Sequence, residues 1–574
     1  MSKTLIIAEK PSVANDIARA IGGCVKKDDH HENDEYVIGS AVGHLLELCV
    51  PEEYDVKRGK WSFTHLPHIP PHFDLRPITK SEAKLKSLAK LIRRKDITQI
   101  INACDAGREG ELIFRYIMQY TKAKQPSQRL WLQSMTPQAI RDGLAHLRTD
   151  GQMLNLADAA RSRSEADWLV GINGTRAMTA FNSRDGGFFL TTVGRVQTPT
   201  LTVVVEREEA IRKFVSRDYW EVHAEFIAAQ GIYTGRWFDP KFDKNAKESL
   251  EDAERKENRL WSKTAAETVV MACKGQSGVV TEESKPATQM APALFDLTSL
   301  QREANARFGF SAKNTLGLAQ ALYEKHKVLT YPRTDSKALP EDYVNTVKQT
   351  IELLKEQNNY TRFAQQIEKN NWVSKHQKNK RIFDNSKISD HFAIIPTLQA
   401  PKSLSEPEQK LYDLVVKRFL AVFFPPAEFM VTTRVTKVSG HHFKTEGRVL
   451  TSAGWLAIYG RDQQKDEDLL VAVAADEKVK TDKVEPKGLQ TRPPARYSEA
   501  TLLSAMEGAG KLLDDEELKS AMSGKGLGTP ATRAAIIEGL LTEKYLVREG
   551  REIIPTAKAF QLLTLLRGLG VEEL

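Results

Sequence analysis

The chain has 574 residues, 41% of them hydrophobic, and a mean hydropathy of −0.42, values typical of a soluble globular protein of about three to five domains. No stretch approaches the roughly 18 consecutive apolar residues of a membrane-spanning helix, so a membrane protein is excluded. The 83 basic and 75 acidic residues leave a net charge of +8 and a pI near 9.0, which permits nucleic-acid binding without establishing it.

The four cysteines, Cys24, Cys49, Cys104 and Cys273, are scattered and form no Cys-x-x-Cys pair. Neither a zinc ribbon nor a disulfide framework is therefore expected, and a reducing compartment, the cytoplasm, is predicted. A short apolar run near the N-terminus leads directly into charged residues, which indicates a buried strand and not a signal peptide.

Two strand–turn–helix units are predicted in the N-terminal part of the chain. The first has a strand at 4–8 and a turn that contains Glu9 and Lys10. The second has a strand at 97–103 and a glycine-containing turn that begins at Asp105. Because the parallel strands of an α/β sheet open their turns at the same edge, Glu9 and Asp105 are expected to meet there.

The rest of the chain alternates between helical and strand-like patterns. Helical periodicity is predicted at 157–181, 295–323, 497–546 and 557–566. Patterns typical of strands occur at 219–280 and 427–473. A charged stretch at 476–494, which ends in two prolines, has the composition of a linker.

The segment 105–111, Asp-Ala-Gly-Arg-Glu-Gly-Glu, crowds carboxylates into one turn after a buried strand. Carboxylates held this close repel one another unless a cation lies among them. A hard divalent ion, Mg²⁺ above all, is the usual solution, and Glu9 would add a further carboxylate. A solvated acidic loop with helix-capping carboxylates is the alternative interpretation.

These residues resemble the Toprim domain, the metal-binding α/β module of topoisomerases, primases and some nucleases. Its pattern is a Glu after the first strand and Asp-x-Asp-x-Glu after a later one. Glu9, Asp105 and Glu109 match this pattern, whereas Gly107 stands where the second Asp is expected. The resemblance implies a metal site of Glu9, Asp105 and Glu109, and the missing carboxylate leaves the number of metal ions open. A Toprim domain alone is compatible with a primase, a nuclease or a topoisomerase.

A second chemical signal is the segment 329–336, Leu-Thr-Tyr-Pro-Arg-Thr-Asp-Ser. A tyrosine with a pKa near 10 is ionised to roughly one part in a thousand at pH 7, so its attack on a phosphodiester requires nearby cations. Arg333 follows Tyr331 by two positions and could hold the phosphate through charge-assisted hydrogen bonds. Most of the 14 tyrosines must be structural, and this one is singled out by the motifs that accompany it.

Those further motifs stand in the order found in type IA DNA topoisomerases. They are Gly-Arg-Val-Gln-Thr-Pro-Thr-Leu at 194–201, Pro-Ala-Leu-Phe-Asp-Leu at 292–297, Ser-Asp-His-Phe-Ala-Ile-Ile-Pro-Thr at 389–397, Arg-Tyr-Ser-Glu-Ala-Thr-Leu-Leu at 496–503 and Gly-Leu-Gly-Thr-Pro-Ala-Thr-Arg at 526–533. The chain thus resembles this family over essentially its whole length. The Asp-Ala-Gly-Arg-Glu-Gly-Glu variant and the lack of cysteine tetrads favour the bacterial topoisomerase III group within it.

This resemblance implies an α/β and α+β multidomain protein with the toroidal type IA topoisomerase fold. An N-terminal Toprim domain (domain I) is expected at 1–150, and a winged-helix-like helical domain with the catalytic tyrosine (domain III) at 285–400. A β-rich arch or hinge (domain II) is expected at 216–284 and 401–490. A helical base (domain IV) is expected at 151–215 and 491–574.

The resemblance also implies roles for single residues. Tyr331 would attack phosphorus and leave a 5′-phosphotyrosyl link, while Lys10 and Arg333 stabilise the transition state. Glu9 would exchange a proton with the 3′-oxygen, and His391 would contact the scissile phosphate. Mg²⁺ would be bound by Asp105, by Glu9 and, less centrally, by Glu109.

A groove for single-stranded DNA is implied across domains I and IV. The residues that match its positions are Arg163, Asp167, Arg195, Gln197 and Arg533. For Arg163 and Asp167 the alternative is an i,i+4 ion pair on one helix, which stabilises it by about 0.2–0.5 kcal/mol.

The predicted function is that of an ATP-independent topoisomerase, since no GxxxxGK[ST] loop occurs. It would act as a bacterial cytoplasmic monomer on single-stranded and negatively supercoiled or catenated DNA of the nucleoid or of plasmids; no partner helicase is identifiable. A Toprim primase or nuclease, and an inactive DNA-binding relative that has lost its metal site at Gly107, are the alternatives. The segment 510–525 resembles an insertion of topoisomerase III proteins associated with decatenation, with a packed helical hairpin as the other interpretation.

Overall fold

A computed structural model of the chain describes residues 2–54, 61–246, 252–460, 470–512, 519, 522 and 526–568. Within these residues a seven-stranded sheet organises the N-terminal unit. Across the sheet its strands are Val25–Lys26, His31–Glu32, Tyr36–Ser40, Lys3–Ala8, Ile97–Ala103, Ser127–Arg129 and Arg148–Thr149. The strands from Tyr36–Ser40 to Ser127–Arg129 run parallel to one another.

Both faces of this sheet are covered by helices, which explains the uninterrupted apolar run of its first strand. Leu5 and Ile7 pack against the helices Glu82–Ile92 and Arg108–Thr121 on one face. The alternate residues Ile6 and Ala8 pack against Pro11–Ile21 and Pro137–Ala145 on the other. A small antiparallel pair, Leu46–Leu48 with Leu75–Pro77, lies beside the sheet.

The two predicted strand–turn–helix units are confirmed. Lys3–Ala8 and Ile97–Ala103 are adjacent parallel strands whose last residues, Ala8 and Ala103, are paired. The turns that follow both strands therefore open at the same edge of the sheet, where Glu9 and the residues after Ala103 emerge together.

Six strands of the described chain close into an antiparallel barrel. In order they are Asp218–Ala228, Gly231–Phe238, His441–Ser452, Ala427–Val438, Ser277–Gln289 and Lys478–Gln490. Alternate residues such as Val222, Ala224 and Phe226 point into its core, against the helix Lys263–Cys273. The β-rich character predicted at 219–280 and 427–473 is thereby confirmed.

The prediction of a linker at 476–494 is wrong. The strand Lys478–Gln490 pairs with Asp218–Ala228 and with the start of Ser277–Gln289, and it closes the barrel. Most of its residues are exposed, and its buried ones are Val479, Thr481 and Val484. A barrel strand with so much solvated surface has the charged composition of a linker.

The unit that contains Tyr331 is helical. Its helices are Leu297–Phe308, Ala312–Glu324, Val344–Lys355, Thr361–Lys369, Trp372–Lys375 and Glu406–Ala421. The last of these belonged to the β-rich domain in the sequence-based division at residue 400. In the structure Leu411, Val415 and Phe419 of this helix lie in the same core as Leu300 and Leu329, so the tyrosine unit extends through it.

The base unit combines two separate parts of the chain. Its helices are Leu154–Asn182, Gln197–Lys213, Glu499–Glu507, Pro530–Thr542 and Ala557–Gly568. A hairpin of Leu546–Glu549 and Glu552–Pro555 follows the fourth helix like a wing, between the helical patterns predicted at 497–546 and 557–566. The long first helix connects units, because Ala160 packs in the core of the N-terminal unit and Met178 in that of the base.

Short 3-10 helices complete the described elements: Pro51–Glu53, Phe63–His65, Thr79–Ser81, Asp150–Met153, Glu341–Tyr343, Asn385–Lys387, Gly454–Tyr459 and Ala509–Leu512. Most of the predicted insertion 510–525 lies outside the described residues. Both interpretations of it, an insertion associated with decatenation and a packed helical hairpin, therefore stay predictions. Among the helices that the structure describes, none combines the length and apolarity needed to cross a membrane.

Candidate active site

Three charged residues meet at the shared edge of the N-terminal sheet. The backbone N–H of Asp105 donates to Oε2 of Glu9 at 3.2 Å. The Lys10 ammonium donates to Oδ2 of Asp105 at 2.6 Å and lies 3.5 Å from Oε1 of Glu9. The predicted meeting of Glu9 and Asp105 is thus confirmed, and Lys10 bridges their carboxylates.

The tyrosine unit places two of the sequence motifs side by side. Leu329 pairs with Pro396, and the N–H of Thr330 donates to the carbonyl of Ile395 at 3.0 Å. This pairing aligns the segment before Tyr331 with the segment after His391. The rings of Tyr331 and His391 consequently lie 4.3 Å apart, centroid to centroid.

A cleft of about 350 Å³ brings both units together around these side chains. The Lys10 ammonium lies 4.2 Å from the centroid of the Tyr331 ring. Across the same cleft, Nε2 of His391 lies 3.0 Å from Oδ2 of Asp105. The predicted catalytic residues Glu9, Lys10, Tyr331 and His391 therefore converge, although Tyr331 is far from Glu9 in the sequence.

Contacts at the rim hold the two units against each other. The hydroxyls of Ser134 and Thr136, both in the N-terminal unit, donate to Oδ2 of Asp342 at 3.1 and 2.8 Å. The Gln133 amide donates to the carbonyl of Ile388. All these contacts are hydrogen bonds between polar groups.

The two carboxyl groups at the sheet edge have pKa values shifted in opposite directions. Burial and the neighbouring Asp105 carboxylate raise the pKa of Glu9. Burial also opposes ionisation of Asp105, but the hydrogen bond and charge of His391, together with Lys10, outweigh burial and hold the pKa of Asp105 well below its usual range. One carboxyl is thus favoured as a proton carrier and the other as a permanent anion.

Burial and neighbouring charges also act in opposite directions on the pKa values of Tyr331 and Lys10. Burial raises the pKa of the Tyr331 phenol, while the charges of Lys10 and Arg333 lower it. Burial works against the charge of Lys10, yet Asp105 and Glu9 outweigh burial, so the pKa of Lys10 is raised and the ammonium stays charged. Arg333 is exposed and reaches Tyr331 through its charge. Two positive charges therefore act on the phenol that is predicted to attack.

Comparison with known proteins gives a consistent result. The DNA topoisomerase family matches residues 151–573, and the Toprim domain family matches residues 4–135. DNA topoisomerase 3 of Bacillus subtilis is 39% identical to this chain, over 98% of the chain and 76% of the relative, and that of Bacillus cereus is equally similar. The full-length topoisomerase I of Thermotoga maritima, at 22% identity, matches 98% of this chain and 82% of its own with a TM-score of 0.64, which shows the shared fold.

The chain belongs to the type IA DNA topoisomerases. Its N-terminal unit is a Toprim domain, and the whole has the mixed α/β, multidomain fold of this family. It is accordingly an isomerase that changes DNA topology by strand passage.

Three of the residues predicted to bind DNA in this topoisomerase form one cluster: Arg163 and Asp167 lie on the long helix of the base, and Arg195 lies in the turn before the next helix. Arg195 contacts Asp167, with 3.2 Å between Nη1 and Oδ1. Arg163 lies 4.0 Å from the other oxygen of Asp167, so the i,i+4 ion pair exists as well. Gln197 is half-buried nearby in the chain and its amide donates to Thr192 and Glu543.

Arg533 does not belong to this surface. Its side chain is 3% exposed, and it donates to the carbonyl of Leu527 at 3.0 Å and to Oγ1 of Thr298 at 2.9 Å. It therefore ties the base to the tyrosine unit from the inside, and the prediction that it contacts DNA is corrected. The motif that contains it indicates family membership but not exposure.

Glu109, predicted as a further metal ligand, points away from the Asp105 cluster. Its carboxylate accepts from Nε2 of His44 at 2.7 Å, and that hydrogen bond is the main reason why the pKa of Glu109 is lowered. Both side chains line a second cleft of about 380 Å³, which also contains Arg163 and Asp167. In this structure Glu109 thus lies on the same surface as Arg163 and Asp167, which are predicted to bind DNA.

The donor atoms at the sheet edge suit the divalent metal that a Toprim domain typically binds. One ligand atom each from Asp105, Asp390 and His391 lies within 4.8 Å of the others. Sequence reasoning singled out Asp105 and His391 but missed Asp390, although Asp390 directly precedes His391 in a recognised motif. It also missed Arg129, which is 1% exposed and donates to the carbonyl of Asp105 at 2.6 Å, thereby supporting the turn from below.

Proposed function

We propose that Tyr331 is the nucleophile with which this type IA topoisomerase cuts one strand of DNA. Its oxygen would form a bond to phosphorus while the bond from phosphorus to the 3′-oxygen breaks, giving a 5′-phosphotyrosyl link and a free 3′-hydroxyl. The observation that carries this proposal is the position of the Lys10 ammonium, 4.2 Å from the Tyr331 ring. A cation placed there stabilises the negative charge that develops in the transition state.

The neighbouring side chains fit the remaining roles. Arg333, exposed close to Tyr331 in the chain, would bind the scissile phosphate, and His391, whose ring lies against that of Tyr331, would also contact it. Glu9 would give a proton to the leaving 3′-oxygen and take it back on resealing, since its raised pKa suits a group that alternates between acid and base. The ester to Tyr331 conserves the phosphodiester energy, so no ATP is required.

Asp105 and Glu9 are the Toprim carboxylates that would hold Mg²⁺. When bound, the ion supplies positive charge that aligns the broken ends for resealing. We further propose that the four units enclose a toroid, as the family resemblance implies, and that the substrates are single-stranded and negatively supercoiled or catenated DNA of a bacterial cytoplasm.

Replacement of Tyr331 tests the proposal, with a matched control in the same cleft. Tyr331→Phe should abolish plasmid relaxation and the covalent adduct with a single-stranded oligonucleotide, and it should still bind that oligonucleotide. Tyr323→Phe, whose ring lies 5.3 Å from that of Tyr331, should retain both activities. An adduct formed by Tyr331→Phe would transfer the role to another residue.

The match to the DNA topoisomerase family over residues 151–573 sets aside a Toprim primase or nuclease. An inactive DNA-binding relative would fail to relax a plasmid in Mg²⁺, so relaxation by the wild type, together with an adduct through Tyr331, checks the activity directly.

A further inference from the structure

Gly107 lies at the point where the Toprim pattern has its second Asp, yet its backbone does not require glycine. It is the N-cap of the helix Arg108–Thr121 with φ −160° and ψ −178°, an extended conformation open to any residue. Asp is among the favoured residues at such a position. The carboxylate is therefore missing for a reason other than backbone strain.

The space in front of Gly107 is faced by a carboxylate from the other side of the cleft. A Cβ placed on Gly107 would have Oδ2 of Asp390 as its nearest neighbour, at 3.7 Å. Asp390 belongs to the tyrosine unit and Gly107 to the Toprim domain. The Asp390 carboxylate of the tyrosine unit thus lies next to the position at which the Toprim turn lacks its second carboxylate.

The two oxygens of Asp390 have different surroundings. Oδ1 accepts from the Ser389 hydroxyl at 2.7 Å and from the N–H of His391 at 3.1 Å, which orients the carboxylate. Oδ2 is the oxygen that faces Gly107, and within the described chain it accepts no hydrogen bond. An oriented carboxylate with one available oxygen is suited to bind a hard cation.

We infer that Asp390 takes the place of the missing Toprim carboxylate and binds the divalent cation together with Asp105. The ligand atoms of these two residues lie within 4.8 Å of each other, and His391 completes the same group. This inference rests on the proposed function, because it concerns the metal of the same active site. It goes beyond it by placing a ligand in the tyrosine unit.

A cation bound in this way links the two units that form the cleft. Asp105 moves with the Toprim domain and Asp390 with the tyrosine unit, so the full ligand set exists only while the units are in contact. The cation therefore binds the closed arrangement more tightly, and by linkage it favours closure over separation. Strand resealing, which needs the closed cleft, would be promoted by the same ion.

The alternative is that Asp390 only stabilises its own loop through Ser389 and His391. A swap of carboxylates across the cleft distinguishes the two. Asp390→Asn keeps the shape and the Oδ1 contacts but removes the charge. Gly107→Asp then restores a carboxylate from the Toprim side, in a conformation that Asp adopts readily.

The measurement is Mn²⁺ binding to the full-length protein by electron paramagnetic resonance and calorimetry, with Mn²⁺ as the probe for Mg²⁺. Asp390→Asn should weaken binding at least ten-fold, roughly the loss expected for a ligand or its immediate support. The double variant Gly107→Asp/Asp390→Asn should recover to within about three-fold of the wild type. This gain should exceed the gain that Gly107→Asp gives in the wild-type background, a coupling that independent sites do not show. Asp335→Asn is the matched control, since Asp335 also accepts from the Ser389 hydroxyl, at 3.1 Å, but lies outside the ligand group.

Unchanged Mn²⁺ affinity in Asp390→Asn overturns the inference, as does a double variant that binds no better than Asp390→Asn alone. If Asp390→Asn lowers the melting temperature, Gly107→Asp in the wild-type background decides instead. It should tighten Mn²⁺ binding less than it does in the Asp390→Asn background, because two positions that serve one site are not additive. Equal tightening in the two backgrounds would mean that the positions act independently and would overturn the inference. Adduct formation by Tyr331 is assayed separately in the wild type. If the wild type forms no adduct but its Mn²⁺ binding depends on Asp390, the proposed function is rejected and the metal inference stands.

Discussion

Removal of the Lys10 charge should slow DNA cleavage without preventing DNA binding. The ammonium lies 4.2 Å from the Tyr331 ring and 2.6 Å from Asp105. At an effective dielectric constant of about 20, a unit charge about 4 Å from a developing anion stabilises it by about 4 kcal/mol. This is an upper value for Lys10, because 4.2 Å is the distance to the ring centroid and not to the phenolic oxygen. Part of this is offset because Lys10 is already paired with Asp105 before the reaction. We therefore expect Lys10→Met to cost about 2.7 kcal/mol, or about 10²-fold in rate.

The assay is single-turnover cleavage of a labelled single-stranded oligonucleotide, with its affinity measured separately by fluorescence anisotropy. Lys327→Met is the charge-matched control, because Lys327 lines the same cleft. Its ammonium lies over the ring of Tyr323, 5.7 Å from the centroid of that ring, and not over Tyr331. Cleavage by Lys327→Met should change less than ten-fold. The argument is refuted if Lys10→Met loses less than ten-fold, or if both variants lose activity equally.

Three more outcomes are expected. Arg195→Ala removes an exposed cation beside Asp167, so it should weaken binding of single-stranded DNA and lower the salt dependence of that binding by about one unit of slope. Arg533→Ala should instead lower the melting temperature, with little effect on the DNA affinity of the folded protein, because Arg533 is buried. The reverse pattern would show that Arg533 contacts DNA. Asp342→Ala removes the carboxylate that accepts hydrogen bonds from Ser134 and Thr136. These bonds contribute about 1 kcal/mol to closure of the cleft between the two units, so the cleavage rate should fall about five-fold. An unchanged rate would show that these contacts do not hold the cleft closed. Replacement of 510–525 by a Gly-Ser linker should depress decatenation of nicked circles far more than relaxation, while equal losses or a lower melting temperature would indicate a packed hairpin.

Local sequence patterns were sufficient for the features that depend on neighbours in the chain. The apolar run before Glu9 and the one before Asp105 predicted two parallel strands, and the structure pairs them. Helical periodicity at 157–181 and 295–323 corresponds to helices in the structure, because burial of one face repeats every turn. Motif order was enough for the family, since many separated segments agree at once.

Other features were decided only by tertiary packing. The strand Lys478–Gln490 looked like a linker because so much of its surface is solvated, and only its pairing with Asp218–Ala228 reveals it. Likewise, the helix Glu406–Ala421 carries no signal in its own sequence for which core it joins.

The chemistry of single residues shows the same division. From the sequence alone, residue types and the family resemblance predicted that Tyr331, Lys10 and Asp105 lie together, and the structure brings them to one cleft. The burial of Arg533, the pairing of Glu109 with His44 and the approach of Asp390 to Gly107 were decided only by the tertiary structure. The physical reason is that exposure and ligand sets depend on which distant segments pack together, and no local periodicity encodes the distance between two units.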